Sequence, residues 1–313
     1  MNLHLFLPIA GTSVSLFLLL GMGLLVGFLS GLFGVGGGFL LTPLLIMIGI
    51  PPTVAAASDS NQIVAASASG ILAHYRLGNV DIKMGILLLI GGILGGVMGV
   101  QIIKILRGMG NADFLIQITY VVMLGVIGIY MFHESLTALK GPHKPDVGGI
   151  DWDRKKKPSV YAQITSRLPL KAAFEKSGVE ISCLMPLCLG VLVGILAGIM
   201  GVGGGFIMVP IMVYLLRMPM HVVVGTSLFQ IYFTCFNVTV MQAYMNHTVD
   251  FILAMVLLVG SAVGAQIGAR IGRRLKADEL KILLACIILV VMIKMLIGLL
   301  VAPNALYSIK GGH

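Results

Sequence analysis

The chain has 313 residues, 58% of them hydrophobic and only 11% charged, with a formal net charge of +9. A soluble domain is nearer half apolar and a quarter charged, so this composition excludes an ordinary soluble enzyme and calls for lipid to cover the excess apolar surface. The basic residues lie between apolar segments rather than on one face, which excludes a nucleic-acid-binding protein and fits loops held at one side of a bilayer.

In chain order, the N-terminal apolar stretch has no basic leader and no A-x-A site, and it continues to about Leu32, so it reads as a retained first span. Apolar pieces follow at roughly 13–33, 38–50, 54–75, 84–105 and 114–132, and again at roughly 183–200, 205–216, 220–245, 251–270 and 280–301. Four of each five are long enough to cross ~30 Å of hydrocarbon as helix. The second of each five is about a dozen residues, a short or broken helix with Pro43 or Pro210 inside it. Between the two sets, 133–182 is the polar stretch, with a Lys/Arg run from Arg154 to Lys157. Its later part is mildly amphipathic and reads as a solvated loop or a surface segment.

The two sets are copies. Gly31 to Leu45 read GLFGVGGGFLLTPLL, and Gly198 to Met212 read GIMGVGGGFIMVPIM, at a fixed offset of 167. Pro52 meets Pro219 and Ser60 meets Ser227; with two residues inserted, Val80-Asp81 meets Val249-Asp250, and Gly91-Gly95-Gly99 meets Gly260-Gly264-Gly268. The organisation expected is a first membrane repeat at 1–132, a cytoplasmic linker at 133–182 and a second membrane repeat at 183–313. If every piece crosses and the linker is cytoplasmic, 17 of the 21 Lys and Arg fall inside and three outside, with Lys294 within a span. Five crossings per half turn the second repeat upside down relative to the first, and a re-entrant hairpin made by the first two pieces keeps that parity. The expected fold is thus an all-α polytopic membrane protein of two inverted-topology repeats, about five hydrophobic segments each, with a short broken helix in each.

Several residues in this frame are candidates for chemistry. Gly36, Gly37 and Gly38, and Gly203, Gly204 and Gly205, break the helix before the short piece and expose backbone N–H groups to an anion; close helix packing is the alternative. Two such breaks in inverted halves point to a site near the bilayer midplane. The third pieces carry Asn61 and Gln62, and Thr226, Ser227 and Gln230, whose polar groups are costly against lipid and suited to an oxyanion. Asp59 and Lys294 lie within spans at matching depths, which predicts an ion pair or a proton-coupling role. The glycine ladders mark close helix packing, within the chain or in a homodimer. Nothing resembles a hydrolytic or metal-binding constellation, so neither an enzyme nor a cofactor or metal site is expected.

The doubled G-x-G-G-G-F-x-x-x-P motif, the Ser58-Asp59-Ser60 and Gly225-Thr226-Ser227 starts of the third pieces, and the G-N-V-D and H-T-V-D turns resemble the sulfite exporter (TauE/SafE) family. The resemblance covers both halves apart from the linker. It implies a multi-pass protein of the cell's inner (cytoplasmic) membrane that transports sulfite, sulfonates or related organic acids, with the family's glycine signatures at Gly34 to Phe39 and Gly201 to Phe206. A carboxylate at Asp59 beside an anion site departs from the second half's pattern. The mechanism expected is a secondary transporter working by alternating access, one repeat rocking against the other; an anion channel and a non-transporting receptor subunit stay open on sequence grounds.

Overall fold

A computed structural model describes residues 4–33, 38–140, 171–174, 176–216, 218–272 and 277–300. The first half begins with a hairpin, β1 (His4–Leu7) and β2 (Thr12–Ser15). The helices α1 (Leu16–Phe33), α2 (Gly38–Met47), α3 (Pro52–Arg76), α4 (Ile82–Gly108) and α5 (Ala112–Lys140) follow. The second half repeats the plan with β3 (Lys171–Phe174), β4 (Val179–Ser182), α6 (Leu184–Met200) and the one-and-a-half-turn α7 (Gly205–Pro210). A π turn at Ile211–Leu215 extends α7, and α8 (Met220–Met241) runs into a second π turn at Gln242–Asn246. The chain then forms α9 (Phe251–Gly272) and α10 (Ala277–Leu300).

All ten apolar pieces are helical among the described residues, and five helices are long and apolar enough to cross a membrane: Ile82–Gly108, Ala112–His133, Val222–Asn246, Phe251–Gly268 and Ile282–Leu300. The fold is mostly helical, with two additions that an all-α expectation lacks. The hairpins stand at the same offset of 167, residues 4–15 against 171–182, and each turns through a left-handed glycine, Gly11 at φ 63° and Gly178 at φ 64°. The second unit therefore starts near Lys171, inside the stretch read as linker, and α5 carries the first unit to Lys140.

Packing exchanges the halves. Gly91, Gly95 and Gly99 of α4 lie against the backbone of Leu187, Val191 and Ile195 of α6, in that order, so the two helices run parallel. Gly23 and Gly27 of α1 meet Leu257 and Ser261 of α9 in the same parallel sense. The glycines allow backbone-to-backbone contact that any Cβ would block. Gly91, Gly95 and Gly99 of α4, and Gly260 and Gly264 of α9, thereby pack against first helices of this same chain. α8 also runs along α4, with Thr226 at Asp81, Gln230 and Thr234 at Gly92, and Val238 at Gly96. α3 runs along α9, with Ser58 at Asp250 and Gln62 at Ser261. α5 and α10 lie antiparallel, Gly125 facing Met292 and Gly128 facing Ile288. The largest apolar cluster draws on both halves, from Leu7 and Leu19 to Leu257 and Ile288.

The V-D turns explain how the hairpins are fixed. Asp81 caps α4 by accepting from the Met84 N–H at 3.1 Å, and Asp250 caps α9 by accepting from the Leu253 N–H at 3.1 Å. The other carboxylate oxygen holds the opposite half's hairpin: Asp81 Oδ2 accepts from the backbone and hydroxyl of Ser177, and Asp250 Oδ2 accepts from the Ile9 N–H at 3.1 Å.

Candidate substrate site

The glycine break of the second half is fully described. Gly201, Gly203 and Gly204 take φ of 74°, 69° and 73°, a left-handed run that side chains resist, and it turns the end of α6 into α7. The carbonyls left over at the end of α6 are taken by three other elements. Gln242 Nε2 donates to Gly198 O at 3.2 Å, the Tyr120 hydroxyl donates to Met200 O at 2.7 Å, and the Ser60 hydroxyl donates to Gly201 O at 2.9 Å. The N–H groups of Val202, Gly203 and Gly204 donate to no acceptor among the described residues. The glycines also fit tightly: a Cβ on Gly201 would stand 1.9 Å from Ala56 O, and one on Gly203 would stand 2.3 Å from Cys235 Sγ.

Of the first half's break, Gly36 and Gly37 lie outside the described residues. Gly38 opens α2, where a Cβ would meet Ile63 Cδ1 at 2.3 Å and Asp59 Oδ2 at 3.3 Å. Ile63 packs with Ile231 and Cys235, so it bridges the edges of both breaks. One residue after each glycine run stands a phenylalanine, and the two rings stack: the Phe39 and Phe206 centroids are 4.1 Å apart with planes 7° from parallel. Equivalent residues of the two halves thus meet face to face at the starts of α2 and α7.

The candidate side chains divide around this point. Asp59 is fully buried, and its Oδ2 accepts from the Thr42 hydroxyl of α2 at 2.7 Å. Gln62, also buried, donates from Nε2 to Ser261 Oγ of α9 at 2.6 Å. Asn61 is half-buried beside it on α3. On α8, Gln230 donates to the Thr234 hydroxyl at 2.9 Å against Gly92 of α4. Ser227 returns its hydroxyl to Val224 O at 3.1 Å, an ordinary bond within its own helix. Thr226 is committed elsewhere: its Oγ1 accepts from the Asp81 N–H at 3.0 Å at the V-D turn.

Asp59 and Lys294 are not brought together. Along α10 the inward positions are Leu284, Ile288, Val291 and Met295, and Lys294 lies on the exposed face with Val290, Ile293 and Ile297. Matched depth in two spans does not fix azimuth, and here the azimuths differ; the ammonium faces outward, where its stem can reach to the interface. No cation lies within ion-pairing distance of Asp59 among the described residues. Sequence reasoning missed Thr42, Tyr120 and Ser60 as partners of the breaks, and Asp81 and Asp250 as hairpin anchors. The paired V-D turns carried a signal for the anchors; an isolated tyrosine or threonine in a span carries none.

Apolar helices in two matching sets, five of them long enough to span a bilayer, with a buried glycine turn at Gly201–Gly204 in the second set, define a multi-pass membrane protein. The chain belongs to the sulfite exporter TauE/SafE family, which it matches over residues 19–295, and is a membrane transporter of that family. It is 29% identical over 287 residues to the probable membrane transporter protein YjnA of Bacillus subtilis, covering 91% of this chain and 100% of that one. It is 27% identical over 252 residues to a probable membrane transporter protein of Xylella fastidiosa, 80% of this chain and 82% of the other. A shorter likeness, 32% over 103 residues, links 33% of this chain to 23% of sulfite exporter TauE/SafE family protein 1 of Arabidopsis thaliana. No solved structure matches.

Proposed function

We propose that the chain is a secondary transporter of small anions, sulfite, sulfonates or related organic acids, working by alternating access across the cytoplasmic membrane. The observation that carries this reading is the meeting of the short helices α2 and α7, one from each half, at the stacked Phe39 and Phe206 that follow the two glycine runs. Non-helical backbone at membrane depth is tolerated where protein or a water-filled path covers it. The unengaged N–H groups of Val202 to Gly204 are donors suited to an oxyanion.

Inverted repeats are supported by helix directions. α1 and α3 run with α9, and α6 and α8 run with α4. The five residues 77–81 between α3 and α4 reach at most about 18 Å, against roughly 40 Å for α4, so α4 must return against α3. α6 then opposes α1, which is the sense that inverted repeats require. The hairpin contacts agree, each hairpin docking at the membrane face where its own half begins.

The same contacts change the expected motion. Glycine crossings join α1 to α9 and α4 to α6, so neither repeat can rock as a unit without shearing them. The moving bodies are exchanged bundles instead: α1, α3 and α9 with the first hairpin, and α4, α6 and α8 with the second. The test is anion exchange in proteoliposomes, with sulfite, methanesulfonate, thiosulfate and small carboxylates offered in turn. Saturable counterflow of at least one sulfur oxyanion is expected. Voltage-driven conductance without saturation, or no flux of any anion, overturns the reading.

A further inference from the structure

The three buried carboxylates of the described residues are not treated alike. Asp81 and Asp250 each accept from two or more N–H or hydroxyl donors at the helix N-termini they cap. Asp59, with no accessible surface at all, accepts among the described residues only from the Thr42 hydroxyl, and its Oδ1 has no hydrogen-bond partner among them. One turn further along α3, Gln62 Oε1 is buried and equally without a donor. An unpaired carboxylate at membrane depth is among the most expensive groups a fold can hold, and Lys294, the cation at matching depth, faces away.

We propose that Asp59 is a proton-binding site in the transport path, so that anion movement through the chain is coupled to proton movement. The inference rests on the transporter reading and adds the identity of its coupling ion. A proton on Oδ1 converts a carboxylate oxygen into a hydroxyl donor, supplying a donor where two neighbouring acceptors lack one. Calcium or magnesium would demand about six or more oxygen ligands and zinc about four ligands, whereas the described residues of the cluster offer two uncommitted oxygens, a set that suits the proton. The proton comes from water on one side and returns to water on the other, and nothing is oxidised or reduced. A neutral carboxyl also removes the conflict between Asp59 and an anion at the adjoining glycine break.

The position suits coupling. Oδ2 is held by Thr42 on the short helix that begins at the first glycine run, and Gly38 lies directly against that oxygen. Any motion of α2 that opens the break therefore alters the one hydrogen bond Asp59 makes. The titratable groups that act on it from the surrounding helices are Tyr120 of α5, which is engaged to Met200 O, and the buried Cys235 of α8. Asp250 lies against Ser58 at the start of α9 and is occupied by its cap and hairpin.

Infrared spectroscopy of the full chain in lipid tests the proposal without a substrate. Wild type should show a neutral-carboxyl C=O stretch, shifted by deuterium, that is absent from Asp59→Asn. Thr42→Val, which removes the hydroxyl donor and keeps the carboxyl, should move the frequency of that band. No such band at any pH where the protein stays folded overturns the proton site. In proteoliposomes with sulfite or methanesulfonate, an imposed pH gradient should speed net flux several-fold in wild type and not in Asp59→Asn. A band present with flux indifferent to the gradient overturns the coupling, and flux of neither anion overturns the substrate reading while the infrared result still decides the proton site.

Discussion

Gly95 and Gly264 sit where the two halves cross, and alanine at either should separate the helices. A Cβ on Gly95 would stand 2.0 Å from Val191 O, and one on Gly264 would stand 2.1 Å from Leu24 O, whereas ordinary contact begins at 3.4 Å. The helices must therefore part by about 1.3–1.4 Å locally, a gap that forfeits more than roughly half of the dispersion attraction across it. Overpacking of this kind costs about 1–3 kcal/mol, and alanine's better helix propensity returns about 0.5–1 kcal/mol. Taking the middle of each range, the net loss is about 1 kcal/mol, or roughly 2–4 °C in melting temperature. Gly21 of α1 and Gly298 of α10 have nothing within 4 Å of a built Cβ, so alanine there should be neutral or slightly stabilising. Thermal melting of the purified chain, read by size-exclusion chromatography after heating, gives the order. Gly95→Ala and Gly264→Ala melting at or above wild type, or Gly21→Ala falling as far as they do, would refute the crossing.

Tyr120→Phe leaves Met200 O without a donor in a buried site and should cost about 1–3 kcal/mol; an unchanged melting temperature would show that the bond contributes nothing. Asp81→Asn keeps the cap oxygen for Met84 and sets a donor against Ser177, so it should lose the hairpin and retain α4, whereas Asp81→Ala should cost about 1 kcal/mol more through the cap; protease sensitivity confined to 171–182 in the Asn variant is the readout. Lys294→Met should leave melting and anion exchange as in wild type, and a large loss in either would restore a partner for that ammonium. A cysteine at Ser159 should react with an impermeant thiol reagent only from the cytoplasmic side of oriented vesicles, and labelling from outside would reverse the topology.

The helices and the duplication were legible because they rest on signals that accumulate: runs of apolar residues, and glycines and prolines repeated at one offset. The second copy's start was not. Only Gly11 and Gly178 mark the two hairpins, and HLFLPIAGTSVS and KAAFEKSGVEIS share almost nothing else that a pattern could catch. Placement around the helix was the weakest inference. Sequence depth paired Asp59 with Lys294, and the ladders could be assigned to close packing but not to a partner. Azimuth depends on the crossing geometry of several helices at once, which no single helix encodes.

What the two halves share and where they differ separates scaffold from chemistry. The ladder glycines, the stacked phenylalanines, the capping aspartates and the hairpin turns occur in both, and each serves packing that the duplicated chain uses twice. Around the breaks the copies diverge: Asp59 stands opposite Thr226, and Thr42 opposite Val209. Thr226 anchors the V-D turn, while Asp59 binds the short helix beside the glycines. A symmetric scaffold can offer the same path to both membrane faces, so symmetry alone gives transport no preferred ion and no preferred direction. On the proposed proton-coupled reading one carboxyl in one half breaks that equivalence: a rearrangement that disturbs the Thr42–Asp59 bond has a proton to release, and one at the counterpart positions Val209 and Thr226 has none.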